Sequence, residues 1–148
     1  MIKINSFVVC RDVVHLKNGL NTFIDAPVTN IIPPDGSRYP FSGTYDFLAS
    51  IYRDNPAERV PFTFNLALAN SKFGATQFPP ICSSFDIPYL FKELRAVMTV
   101  TFKEPGEYNF EYEVIVNGDV MDAGLYFIYA WRNHMEFSEG VQNDNSVN

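Results

Sequence analysis

The chain is short of the residues that most catalytic and metal chemistry is built from. It holds two cysteines, Cys10 and Cys82, and two histidines, His15 and His134, in 148 residues. Two cysteines are too few for a disulfide framework, so both are expected as buried free thiols in a reducing compartment. Neither Cys-x-x-Cys nor His-Glu-x-x-His spacing occurs, which removes the common zinc signatures. No Gly-x-Ser-x-Gly elbow, phosphate loop or dinucleotide fingerprint is present. Cys10 and His15, five residues apart on one strand, point to opposite faces unless a bulge intervenes, which argues against a nucleophile pair.

Charge is scarce as well. Charged residues make up 19% of the chain, below the usual share of about 25%. The 11 Lys and Arg against 17 Asp and Glu leave a net charge of −6. A nucleic-acid binder needs a basic patch to displace counterions, and an anionic membrane attracts basic segments, so neither partner is expected. No apolar run approaches the length of about 20 residues that spans a bilayer. The opening Met1–Cys10 carries polar Asn5 and Ser6 inside its short apolar run and lacks the pattern of a signal peptide. A cytoplasmic location is expected. The small polar surface leaves room for an interface.

Aromatic residues are plentiful, with 14 Phe and 8 Tyr. They favour strands and bury much area each. A chain of 148 residues fits one domain with a sizeable core.

The most legible stretch runs from Ala96 to Trp131 and reads as three consecutive antiparallel strands, Ala96–Lys103, Glu107–Val116 and Asp119–Trp131. Glu104-Pro105-Gly106-Glu107 suits a type II turn, and Asn117-Gly118 between two apolar runs is a strong hairpin signal. In the middle strand Tyr108, Phe110, Tyr112, Val114 and Val116 share one face, and Asn109, Glu111 and Glu113 share the other. Leu125–Trp131 is apolar at every position, the pattern of a strand covered on both faces, by its own fold or by a partner.

Elsewhere, Lys3–Leu16 is a strand broken at Arg11 and Asp12, with a bulge expected there. Lys17-Asn18-Gly19 is a turn, Leu20–Ile24 the partner strand, and Val28–Ile32 an edge segment. Thr44–Arg53 and Val60–Ala69 read as a second hairpin around Asp54–Glu58. Asn70–Leu94 is an irregular crossover, too apolar for a linker. Asp86 is placed to cap a short helical turn over Ile87–Leu94, or the segment passes from one sheet to another, as Greek-key topologies require. Residues 1–137 are expected as one domain and the polar 138–148 as a disordered tail. About seven strands without a long helical period predict an all-β fold: an antiparallel β-sandwich, Ig-like/Greek-key, with the irregular crossover at 70–94. A closed barrel is the second architecture.

Phe7-Val8-Val9-Cys10-Arg11-Asp12-Val13, then Gly19-Leu20-Asn21-Thr22-Phe23-Ile24 and a Pro-rich break, resembles an uncharacterised family of small bacterial β-domain proteins. That family opens with a Phe-x-x-Cys-acidic-x-Val strand and carries a late Pro-Gly segment like Pro105-Gly106-Glu107-Tyr108. Arg11 stands where an acidic residue is common, and Asp25 where a glycine is. The resemblance implies an Ig-like sandwich and no mechanism, with Cys10 as a core residue rather than a nucleophile.

Three functions follow in order. The first is a non-catalytic protein-interaction or assembly module of a bacterial or phage complex, joining a protein partner or a second copy through Tyr126, Tyr129 and Trp131. The second is a small-ligand or carbohydrate-binding sandwich. The third is a hydrolase using the paired carboxylates Glu111 and Glu113, or an enzyme using Cys10. Asp119 with Asp122, and Asp54, Asn55 and Glu58, are calcium candidates by residue type, and solvated turn carboxylates are the reading preferred for them. No catalytic residue, metal or cofactor is assigned.

Overall fold

The computed structural model describes residues 1–15, 21–24, 26–57 and 59–146. In them the chain forms β1 (Ile2–Cys10), β2 (Asp12–His15), β3 (Asn21–Ile24), β4 (Asn30–Ile31), β5 (Phe41–Arg53), β6 (Pro61–Asn70), β7 (Gly74–Gln77), β8 (Ile81–Ser84), β9 (Phe91–Phe102), β10 (Gly106–Val116), β11 (Asp119–Ala130) and α1 (His134–Ser146). The fold is all-β. One sheet has the order β1-β5-β9, and a second has β4-β11-β10-β6-β7 with β8 also on β6. β2 and β3 make a separate hairpin, while the expected turn at 17–19 lies outside the described residues. β4 runs parallel to β11; the other pairings are antiparallel.

Alternation decides which faces meet. Tyr108, Phe110 and Val114 of β10 are buried, and the Asn117-Gly118 turn joins β10 to β11 with φ of 51° and 83°, as a type I′ hairpin demands. In β1 the core positions change parity, from Ile4 opposite Ile51 to Phe7 opposite Ala49 and Val9 opposite Phe47. The extra residue is Asn5. This bulge, and not one at Arg11–Asp12, lets both halves of the strand face the core.

The two sheets interlock through aromatic rings. Phe7 stacks on Tyr112 at 4.4 Å, Phe47 meets Phe110 edge-on at 5.0 Å, and Phe102 meets Tyr108 edge-on at 5.1 Å. Each pair joins one sheet to the other. On one side the segment 28–31 laces them together: Val28 N–H donates to Val9 O, Tyr129 N–H to Thr29 O and Trp131 N–H to Ile31 O.

Several expectations change here. The three-strand meander is not one sheet, because β9 pairs with β5 while β10 pairs with β6 and β11. The turn at 104–107 therefore carries the chain between sheets. Tyr108 Oη sits back on that turn, donating to Glu104 O at 2.6 Å and accepting from Glu104 N–H at 3.2 Å, a tyrosine corner. Likewise β5 and β6 are no hairpin; they lie in different sheets. The strands number eleven among the described residues, against about seven expected, mainly because short pieces such as β7 and β8 are ordered along β6.

The crossover at 70–94 does pass from sheet to sheet. β7 and β8 share one edge of β6, interrupted at Pro79 and Pro80, which have no N–H for a ladder. The helical turn over 87–94 does not form. Asp86–Tyr89 is a turn closed by Tyr89 N–H to Asp86 O, and the chain is extended from Phe91 because β9 pairs with β5 from there. Arg53, 1% exposed, holds this segment. Its Nε donates to Tyr89 O, and its Nη2 to Asp86 O and Pro56 O, while the guanidinium lies 4.9 Å from the Phe85 ring.

Removing the corner hydroxyl tests the inter-sheet turn. Tyr108→Phe is expected to lower unfolding stability by about 1–2 kcal/mol in a urea titration, with an unchanged circular dichroism spectrum. An unchanged midpoint would show that the corner contributes nothing.

Candidate functional site

Leu125–Trp131 was expected to be covered on both faces, by its own fold or by a partner, and its own fold covers one of them. The pairing of β11 with β10 slips by one residue at Met121, from Asp122 opposite Val114 to Val120 opposite Ile115. Beyond this bulge Tyr126, Ile128 and Ala130 face the core, whereas Ala123, Leu125, Phe127 and Tyr129 face outward. Leu125 is 52% exposed and Phe127 68%. Both faces are apolar in sequence, but only one has a sheet against it.

The three expected interface residues divide. Tyr126 points inward: its ring lies 5.6 Å from Phe7, and its hydroxyl donates to Val28 O at 2.7 Å. Tyr129 and Trp131 are on the outer side, half-buried and 4.6 Å apart. Trp131 is also committed to its own chain. Nε1–H donates to Asn30 Oδ1 at 2.9 Å, the ring contacts Phe137 at 5.5 Å, and a methyl at Gly140 would sit 3.2 Å from it. The exposed centre of the face is Leu125 and Phe127, which sequence reasoning passed over because an unbroken apolar run hides its own parity.

The helix against Trp131, α1, takes up residues 138–146 of the segment expected as a tail, and 147–148 lie outside the described residues. A signal for it existed. Asn133 Oδ1 accepts Glu136 N–H at 2.8 Å, and Glu136 Oε2 accepts Arg132 N–H at 2.9 Å, close to a capping box.

Cross-strand register builds the rest of the site. Glu107 lies opposite Tyr129, Asn109 opposite Phe127, Glu111 opposite Leu125 and Glu113 opposite Ala123. On the far side of β10, Ala69 lies opposite Asn109, Ala67 opposite Glu111 and Asn65 opposite Glu113. An acidic row thus runs beside an apolar row, over a floor of small residues. Two depressions follow the row, one of about 430 Å³ bounded by Ala69, Gly74, Glu111 and Phe127, the other of about 380 Å³ bounded by Ala67, Gln77, Glu113 and Leu125. A third, about 320 Å³, joins Glu107, Phe127 and Tyr129. Ile87, Tyr89 and Phe91 form another exposed apolar group, but on a turn and the strand end that follows it.

The chemical candidates are dispersed. Cys10 is fully buried, its Sγ 3.7 Å from Asp46 O; Cys82 is exposed, contrary to expectation, because on the edge strand β8 it faces outward beside Thr63. The side chain of His15 lies outside the described residues, and His134 sits in α1 with Nδ1 3.3 Å from Ser138 Oγ. Glu111 and Glu113 are neighbours on one strand face, with Glu113 accepting from Asn65 Nδ2 at 3.2 Å. Asp122 turns inward to accept Ile4 N–H, Asp54 pairs with the N-terminal amine, Asn55 closes its own turn, and Glu58 lies outside the described residues. Among the described residues no three His, Cys, Asp or Glu side chains gather to hold a metal ion, and no helix is long and apolar enough to cross a membrane. No protein-family model matches the chain, and no curated protein matches it in sequence.

Burial pushes two tyrosine hydroxyls up to about 12, Tyr126 beneath the β11 face and Tyr39, which donates to Trp131 O. A raised phenol stabilises the fold below its ordinary value of 10.0, and this is lost as pH rises through 12. Stability is therefore expected to fall between those values, and less steeply in Tyr126→Phe; thermal melts at stepped pH measure it. The capping contact gives a second expectation. Asn133→Ala weakens α1 by about 1 kcal/mol, and the emission of Trp131, the only tryptophan, shifts to the red as its ring loses cover.

Proposed function

We propose that the chain is a non-catalytic protein-interaction or assembly module, and that its docking face is the outer surface of β10 and β11. The observation that carries this is the exposure of Leu125 and Phe127, side by side on a strand whose alternate residues are core. A sheet face that stays in water is ordinarily polar, and contiguous apolar exposure marks surfaces that another molecule covers. Tyr129 extends the face as an aromatic anchor, whereas Tyr126 stabilises it from beneath. The tyrosine corner supports the Ig-like reading of the sandwich, which the resemblance to small bacterial β-domain proteins also implies.

The depressions beside Phe127 favour a small-ligand binder as the second reading. A carbohydrate site would call on Trp131 for stacking, and that ring is already packed against α1. For the hydrolase reading, Glu111 and Glu113 stand on one strand, not on opposite walls of a cleft around a scissile bond.

The test compares the wild-type chain with Leu125→Ser/Phe127→Ser by native mass spectrometry, alone and after affinity purification from its source cells. The expected outcome is a discrete oligomer or a defined complex that the double variant loses while its circular dichroism stays unchanged. A variant that keeps every association of the wild type would sink the reading.

A further inference from the structure

The acidic row on β10 specifies what kind of chain the face accepts. Glu107, Glu111 and Glu113 share the outer side of one strand, with Asn109 between the first two. Among the described residues neither Glu107 nor Glu111 has an ion pair, and Glu113 has only the Asn65 amide. Three like charges spaced by one or two strand repeats, each repeat about 7 Å, repel one another in the free protein. They gain most from a partner that brings positive charge at the same spacing. The apolar row lies beside them in register, so each carboxylate has a hydrophobic neighbour: Tyr129 beside Glu107, Leu125 beside Glu111, Ala123 beside Glu113.

We propose that the occupant is an extended basic segment of a partner protein, laid along β10 with every second side chain facing the sheet. This rests on the docking reading above. An extended chain advances about 6.6–6.8 Å per two residues, the same repeat as the row beneath it, while a helix at 5.4 Å per turn falls out of step. Read along β10 from Glu107 to Glu113, the inward-facing places are cation, apolar, cation, cation. The apolar place meets Phe127 beside Asn109. Lysine or arginine at the others lays its aliphatic stem on Tyr129 or Leu125 and carries its charge to Glu107, Glu111 or Glu113. Ala67 and Ala69, having small side chains, leave the depressions into which those groups descend.

The probe is a capped heptapeptide with lysine at its first, fifth and seventh places, leucine at the third and serine elsewhere. Its counterparts are the same peptide with glutamate for lysine, and spermine, which carries charge without an apolar side chain. Binding to the full chain is measured by calorimetry and by amide shifts of the labelled protein. The lysine peptide is expected to bind with shifts confined to β6, β10 and β11. Glu111→Gln and Phe127→Ser should each weaken it about tenfold, and added salt should weaken it further in the wild type than in Glu111→Gln. Equal binding of the glutamate peptide or spermine, shifts elsewhere, or no binding at millimolar peptide overturns the proposal. If the lysine peptide fails while Leu125→Ser/Phe127→Ser still abolishes the native association, the docking face stands and only the basic partner is lost.

Discussion

The fold depends on aromatic rings that reach across from one sheet to the other. Phe7, Phe47 and Phe102 come from β1, β5 and β9, and each meets a ring of β10. β10 is therefore the strand from which everything else is positioned. Its inner face is spent on these contacts, worth roughly 0.5–1.5 kcal/mol each beyond the area they bury. Its outer face is left to Glu107, Asn109, Glu111 and Glu113. The same interlock fixes β11, whose pairing with β10 runs over nearly its whole length, and so decides which half of the apolar run from Leu125 goes to water.

The exposed apolar face of β11 is a consequence of that geometry and of one irregularity. Without the bulge at Met121, the parity of β11 beyond the turn would be reversed. Phe127 and Leu125 would enter the core, and Tyr126 and Ile128 would be outside. The slip instead sends Tyr126 beneath the face, where its hydroxyl reaches Val28, and presents Phe127 beside the acidic row. The result is a surface with apolar and anionic rows in register.

Two stabilising devices hold the parts that have no regular ladder. Arg53 gathers the carbonyls of Pro56, Asp86 and Tyr89, fastening the crossover where it enters β9. The segment 28–31 hydrogen-bonds to β1 on one side and β11 on the other, closing one flank of the two sheets. Trp131, at the end of β11, in turn seats α1 through Phe137 and Gly140. The outer face is thus covered at one end and open along its middle.

Local chemistry determined a good deal by itself. Period-two alternation marked β10 and its two faces, and Asn117-Gly118 marked the β10–β11 hairpin, because both depend only on neighbours in the chain. The all-β class followed from the same signals. Strand partners did not, since a turn such as Glu104–Gly106 reverses direction without saying which sheet the next strand joins; only packing of Phe102 on Tyr108 made it a corner between sheets. α1 was overlooked because its cap is two side chains, Asn133 and Glu136, in a segment of polar composition. The proposed docking face was half legible: the apolar run at 125–131 was evident, but a run without polar residues carries no parity. Which of its side chains meet water was decided by the tertiary structure alone, through the bulge at Met121 and the single sheet that covers β11.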